Sequence, residues 1–316
     1  MREIHVPDIV REKAASAGDV GAGWVEQLPS LAAVLEQQWS VRIGQALPGG
    51  TAAFVAQAYT ATGSKVVVKI AVPDPDFERQ VATLIRARGQ GYVRLLAQDL
   101  ARHALLLEAL GPSLDRVGLR PEVQLSTLCE VLRAAWAIPR ALAPRADVAV
   151  DKARGLYELV VGLWEQLGRP CAEEAVALAL DCAERRSTAF DPERCVVVHG
   201  DAAPPNCLQV LEPRPGAEAG FVFVDPDGFV GDPAYDLGVA LRDWCPQLLA
   251  GDASMIARKY CRLLASCSGL DETPIWEWGF LERVSTGLYA LSLGAERLAF
   301  PLLRSAEAIC RRAGGE

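Results

Sequence analysis

The chain has 316 residues, 51% of them hydrophobic and 23% charged, which is enough apolar material for two modest lobes or one large domain and excludes a disordered protein. Its formal net charge is −8, so it lacks the dense cationic surface that binding a nucleic-acid backbone requires, and a cationic small molecule suits the overall sign. No apolar run approaches the roughly 20 residues that span a bilayer, and the first ten residues carry no long apolar segment of a leader.

Residues 8–39 read as helical. Trp24, Leu28, Leu31, Val34, Leu35 and Trp39 fall at helical spacing, with Pro29 as a break or kink. From residue 41 short apolar runs alternate with Gly/Pro/Ser turns, which reads as strands joined by hairpins. "PDPDFERQVATLIRARG" then reads as a helix: Asp74 can cap it, Pro75 suits its first position, and Phe77, Val81, Leu84 and Ile85 form its apolar stripe. "YVRLLAQD" and "HALLLEAL" are two further strands, so residues 41–110 predict a five-stranded sheet with one helix inserted. After "GPSLD" the pattern is mostly helical, over about 121–136, 151–167, 172–189, 232–247, 252–266 and 276–298. Two short strands, 195–198 and 220–225, interrupt it. The expected organisation is a sheet-rich lobe, 1–110, and a larger helical lobe, 111–316.

Nine cysteines are scattered without any Cys-x-x-Cys pair, and the three histidines lie far apart, so no zinc pattern forms locally. Reduced thiols of a cytoplasmic protein are expected. Monomer and homodimer both remain open.

Lysine is the unusual cation here, since most basic residues are arginine. "KVVVKIAV" puts Lys65 and Lys69 on one face of a strand and Val66, Val68 and Ile70 on the other. Lys69 lies deeper and fits either a cleft ammonium bridging phosphates or an edge-strand lysine that blocks aggregation. Glu78, on the next helix, is either its partner or a first-turn acid complementing the helix dipole.

"VVVHGDAAPPN" ends a strand in His199, Gly200 and Asp201, with Asn206 five residues on. The Asp-x-x-x-x-Asn spacing equals that of the kinase catalytic loop, in which the carboxylate takes a hydroxyl proton and the amide oxygen holds a metal. "FVFVDPDGF" supplies Asp225 and Asp227. Two carboxylates so close repel unless a cation or solvent relieves them, and Mg²⁺ bridging phosphates is the natural cation, although Asp-Pro-Asp-Gly is also a strong turn sequence. In "GDPAYDLG", Asp232 suits a helix cap, and Asp236 is placed to accept backbone N–H groups from the catalytic loop. No G-x-x-x-x-G-K-[ST] loop and no G-x-G-x-x-G fingerprint occurs. Gly49 and Gly50 could lay backbone N–H groups over phosphates, or form an ordinary hairpin.

Taken together, "VVHGDAAPPN", "FVDPDG" and "GDPAYDLG" resemble the aminoglycoside phosphotransferase family. "IHVPD", "GWVEQLPSLAAVLEQQW", "YVRLLAQD", "ALLLEAL" and "ERVSTGLYALSLGAE" resemble its streptomycin 6-kinase and hydroxyurea-resistance kinase branch. The similarity spans almost the whole chain and is weakest over about 113–190. It implies an α+β, protein-kinase-like fold: a small antiparallel-sheet N-lobe and a larger, mostly helical C-lobe. It further implies Asp201 as catalytic base, Asn206 and Asp225 as Mg²⁺ ligands, and Asp227 as a metal or substrate residue. Lys69 would meet the α/β-phosphates with Glu78 paired to it, and the hinge backbone near Glu108 and Leu110 would bind adenine. The nucleotide would be ATP or GTP, and the acceptor a hydroxyl of a cationic aminocyclitol antibiotic such as streptomycin. His199 would be structural, as would Asp236.

This chain departs from many relatives in having Ala202-Ala203-Pro204-Pro205 within the catalytic loop, which stiffens the loop and affects substrate placement. A guanidinium-bearing acceptor wants carboxylates and aromatic faces, for which Asp243, Trp276, Glu277 and Glu282 are candidates, each with an ordinary packing role as the alternative. A kinase of the same fold acting on another small hydroxylated metabolite is a second reading. A non-catalytic nucleotide-binding pseudokinase is a third, against which the intact Lys69, Asp201, Asn206 and Asp225 set argues, because a binding module needs no base.

Overall fold

The computed structural model describes residues 5–48, 52–140 and 151–311. The chain forms two compact units. The first runs to Gly111 and takes in Val210–Ala217; the second comprises Pro112–Gln209 and Glu218 onward. A segment remote in sequence thus joins the first unit.

In the first unit, α1 (Asp8–Ser16) and α2 (Gly18–Trp39) precede β1 (Val41–Ala46), β2 (Ala53–Thr60) and β3 (Lys65–Ala71). Then come α3 (Phe77–Ala87), β4 (Leu95–Asp99) and β5 (Ala104–Glu108). Pro29 lies inside α2 without ending it; the break expected within 8–39 falls instead at Ala17. The five strands form one sheet in the order β1-β2-β3-β5-β4, every neighbour antiparallel. Alternation explains which face is covered: Val66, Val68 and Ile70 join Phe54 and Ile43 in a core that also holds Val10, Trp24, Leu28 and Leu35 of the first two helices. Lys69 is thereby left on the opposite face of β3. The helix after β3 starts at Phe77, two residues past Pro75, and Asp74 instead accepts the N–H of Asp76 in a turn (2.7 Å). Gly49 and Gly50 lie outside the described residues.

The boundary strand β6 (Leu110–Ser113) leads to α4 (Pro121–Ala135), α5 (Lys152–Gln166) and α6 (Glu173–Thr188). Four short strands follow: β7 (Val196–Val197), β8 (Cys207–Val210), β9 (Phe221–Phe223) and β10 (Val230–Gly231). The chain closes with α7 (Pro233–Arg242), α8 (Cys245–Ala250), α9 (Ala253–Ser268), α10 (Glu272–Ser292) and α11 (Glu296–Arg311). The helix expected over 232–247 is two helices, because Trp244 adopts a left-handed backbone (φ 74°) and Pro246 opens the next turn. The one expected over 276–298 also divides, at Gly294 (φ 74°), a normal helix terminator. β7 pairs with β10 and β8 with β9, both antiparallel. None of the nine cysteines is in a disulfide. Among the described residues no helix is long and apolar enough to cross a membrane.

α10 is buried along most of its length and packs on α5, α6, α7, α9 and α11. Its approach to α7 is close enough to require glycine. A Cβ on Gly238 would sit 2.4 Å from Trp278 Cβ and 2.8 Å from the Gly279 nitrogen. Backbone cannot step aside as a side-chain tip can, so Gly238→Ala is expected to destabilise the protein by about 1–3 kcal/mol, read as a lowered melting temperature. An unchanged melt would show that the two helices separate freely.

Candidate active site

The loop joining β7 to β8 is built from its main chain outward. His199 and Gly200 donate their N–H groups to the two oxygens of Asp236 on α7, at 2.8 and 2.9 Å, and the Trp136 indole donates to the same carboxylate at 2.9 Å. Asp236 is wholly buried; burial pushes its carboxyl up, and the three donors oppose the rise. Gly200 stands where the kinase pattern has arginine. Its φ is +94°, and a Cβ there would lie 2.5 Å from Asp227 Cβ, so this backbone admits only glycine.

His199 is a brace. Its Nδ1 accepts the Asp201 N–H (3.1 Å), which fixes the proton on Nε2, and Nε2 donates to the Val224 carbonyl (2.9 Å). Its ring lies 4.6 Å from that of Phe223. The catalytic-loop candidate Asp201 is thus tied to the end of β9, directly before Asp225.

Asp201 is half exposed and its two oxygens have different partners. Oδ1 accepts from Arg242 Nη2 at 3.1 Å, and Oδ2 accepts from Asn206 Nδ2 at 2.9 Å; Nδ2 also donates to the Asp201 carbonyl. Burial raises its carboxyl, but the Arg242 guanidinium and the hydrogen bonds from Arg242 and Asn206 more than offset this, so it sits below the usual carboxylate value. Between Asp201 and Asn206 the alanines are buried and Pro204–Asn206 is a single 3₁₀ turn. The small residues therefore fill a packed space that a larger side chain would not enter.

Both of the Asn206 bonds use its amide nitrogen, so neither engages the amide oxygen. The Asn206 carbonyl accepts the Val224 N–H (2.9 Å), setting it beside the strand end that carries Asp225. Asp225 has φ +57°, an uncommon conformation for a residue with a side chain, of the kind held at functional sites. An amide oxygen and a carboxylate are hard donors suited to Mg²⁺. Among the described residues no group of three or more His, Cys, Asp or Glu could hold a metal alone. Asp227 is exposed, and its N–H donates to the His199 carbonyl (2.7 Å).

In the first unit, Lys69 is buried and its Nζ donates to Gln80 Oε1 at 3.2 Å. The expected partner Glu78 is exposed, two residues earlier on α3. Gln80 was readable: it lies three residues after Phe77 and four before Leu84, on the same buried stripe. Glu108 ends β5. Its carboxylate accepts the Arg94 N–H (2.8 Å) and pairs side-on with Nε and Nη2 of Arg214, a residue of the Val210–Ala217 segment. Arg214 also donates to the carbonyls of Gly89 (2.6 Å) and Tyr92 (3.0 Å). Leu110 opens β6 and is half-buried.

The acceptor-side candidates separate into different roles. Glu277 is buried between Arg185 and Arg186 of α6, joining two helices. Glu282 is buried too, accepting from the Tyr235 hydroxyl (2.8 Å) and the Thr286 hydroxyl (3.2 Å). Neither carboxylate is placed to meet an acceptor directly. Trp276 lies under the Arg258 guanidinium, 4.6 Å from the ring centre. Asp243 is half-buried and accepts from Arg242 Nε at 3.2 Å. Arg242, which the motif reading passed over, is what brings Asp201, Asp243 and Glu282 together.

A five-stranded antiparallel sheet bearing a buried lysine, with a helical unit bearing an Asp-x-x-x-x-Asn loop and a following Asp, defines a phosphotransferase of the protein-kinase-like class. Solved structures have this fold. A thermostable mutant of the aminoglycoside phosphotransferase APH(4)-Ia, in ternary complex with AMP-PNP and hygromycin B, matches with a TM-score of 0.63 at 15% identity, over 91% of this chain and all of the other. APH(3'')-Id from Streptomyces rimosus, in complex with ADP and streptomycin, matches with a TM-score of 0.53 at 17% identity, over 82% and 98%. The model of the aminoglycoside/hydroxyurea antibiotic resistance kinase family matches residues 38–294, and the chain belongs to that family. Relatives include streptomycin 6-kinase of Streptomyces griseus, 28% identical over 98% of both chains, and hydroxyurea phosphotransferase of Kitasatospora aureofaciens, 26% identical over 98% of this chain and 87% of the other.

Proposed function

We propose that this protein transfers the γ-phosphoryl group of ATP to a hydroxyl of streptomycin or a closely related aminocyclitol. The observation that carries the reading is the Asp201 carboxylate, held ionised and oriented between Arg242 and Asn206 on a loop whose main chain is fixed by Asp236. Similarity over nearly full length to two streptomycin 6-kinases supports streptomycin as the acceptor.

Each residue has a physical task. Asp201 accepts a hydrogen bond from the acceptor hydroxyl and aligns its oxygen with the γ-phosphorus. As the new O–P bond forms, the bond to the β,γ-bridging oxygen breaks with its electron pair leaving on ADP, and the hydroxyl proton passes to Asp201 and then to solvent. Because Arg242 depresses the basicity of Asp201, proton transfer comes late, after most of the bond change. Asn206 and Asp225 hold Mg²⁺, which when bound neutralises charge on the phosphoryl oxygens. Lys69, oriented by Gln80, meets the α- and β-phosphates, and the main chain from Glu108 to Leu110 receives the adenine. The site works in a cytoplasmic setting where ATP and Mg²⁺ are abundant.

Incubation of the purified protein with Mg·ATP and a panel of streptomycin, other aminocyclitols and hydroxyurea should give streptomycin heavier by one phosphate. The hydroxyurea phosphotransferase relative makes hydroxyurea the second reading. Modification of hydroxyurea alone would replace the named acceptor, and modification of none would reject it.

A further inference from the structure

Arg242 stands at the end of α7, with its side chain 14% exposed, and each nitrogen of its guanidinium faces a different carboxylate. Nη2 donates to Asp201 Oδ1 at 3.1 Å, Nε donates to Asp243 Oδ1 at 3.2 Å, and Nη1 lies 3.6 Å from Glu282 Oε2. The distances are informative. An arginine placed only to neutralise a buried charge would hold the most buried carboxylate closest. Here Glu282, only 6% exposed, is the farthest and has its own donors in Tyr235 and Thr286, whereas Asp201, 48% exposed, is the nearest. The geometry therefore spends its best hydrogen bonds on the groups that face solvent.

The end of α7 is itself fixed from behind. Arg283 is buried on α10 and donates to the carbonyls of Leu241 (3.0 Å) and Asp243 (3.2 Å), while its other edge donates to the Ser305 hydroxyl (2.8 Å) of α11. The residues on either side of Arg242 are thus held by a rigid neighbour. Trp244, in its left-handed conformation, donates its indole N–H to the Ala240 carbonyl (2.9 Å). Arg242 holds Oδ1 of Asp201 and Asn206 holds Oδ2, so rotating the carboxylate about its last bond costs both hydrogen bonds.

We propose that Arg242 is a positioning residue for phosphoryl transfer: its guanidinium, held by Asp243 and Glu282, fixes the rotation of the Asp201 carboxylate toward the acceptor hydroxyl. The inference rests on the phosphotransferase reading of Asp201. A planar fork with donors on three edges does this; a lysine ammonium, a point donor on a flexible stem, does not.

The test compares the wild type with Arg242→Lys, Arg242→Ala and the double variant Arg242→Ala/Glu282→Gln. The double variant removes the buried charge that would be orphaned, so it is expected to melt near the wild type and separate folding from positioning. Two rates are read for each protein with Mg·ATP: transfer to streptomycin, and ADP release to water without acceptor. Loss of aim is expected to lower kcat about ten- to a hundredfold in the alanine and double variants, with the KM for ATP unchanged. Lysine is expected to recover only part of the loss.

A folded double variant with wild-type kcat would overturn the proposal, as would a loss confined to the KM for streptomycin, which would make Arg242 an acceptor contact. If the wild type leaves streptomycin unmodified but hydrolyses ATP, and the double variant loses that hydrolysis, the positioning role stands and the acceptor is wrong. If the wild type does neither, both readings fall.

Discussion

Asp201→Asn is expected to lower phosphoryl transfer by about two to four orders of magnitude, the range a positioned proton acceptor contributes. The substitution keeps size and shape. It also keeps the oxygen that Arg242 Nη2 reaches, and Arg242 retains Asp243 and Glu282, so no buried charge is orphaned. What it loses is the negative charge and the acceptor for Asn206 Nδ2, which then faces a second amide nitrogen. Nucleotide contacts expected from Lys69 and the Glu108–Leu110 main chain lie on other elements. ATP affinity measured by calorimetry should therefore stay close to wild type while turnover collapses. Parallel loss of ATP affinity would mean that the substitution dismantles the loop, not the chemistry.

The second large effect is on stability. Asp236 is wholly buried, and its oxygens accept from two main-chain N–H groups and one indole. Asp236→Ala leaves those donors buried without acceptors, each costing about 1–3 kcal/mol before relaxation. A net loss of roughly 3–5 kcal/mol follows, comparable to breaking a buried ionic contact. On a chain with units of this size the melting temperature should fall by on the order of 10 °C. Asp236→Asn should be similarly damaging, because its NH₂ must point at N–H donors on one side. A melt like wild type for either variant would show that the catalytic loop is fixed by something other than this carboxylate.

The geometry of the helical unit's loop was readable because it is local. Three valines ending in His-Gly-Asp mark a strand delivering a loop, and five residues suffice to set Asn206 against Asp201. Asp236 was readable as an acid in the first turn of a helix opened by Asp-Pro, a place where backbone N–H groups of a neighbouring loop can reach it. The sheet was readable from period-two alternation between turns, which also put Lys69 opposite Val68 and Ile70.

What escaped is what depends on contacts distant in sequence. Arg242 lies 41 residues from Asp201, and nothing within its own helix distinguishes it from a surface arginine. Arg214 reaches Glu108 across 106 residues. That Glu277 and Glu282 pair with α6 and α7 is likewise invisible in the sequence of α10 alone. Two other misses had signals. Gln80 lies on the stripe defined by Phe77 and Leu84, and Pro246 and Gly294 are the punctuation that divides the last helices. Glu78 lies beside that stripe, one residue after Phe77, and its side chain is exposed.

The most direct measurement follows the label from γ-labelled ATP in the presence of streptomycin, with wild type and Asp201→Asn side by side. The account predicts label on a streptomycin hydroxyl with wild type, in step with ADP formation, and almost none with the variant. Label released only as free phosphate, or transfer to streptomycin undiminished in the variant, would contradict it.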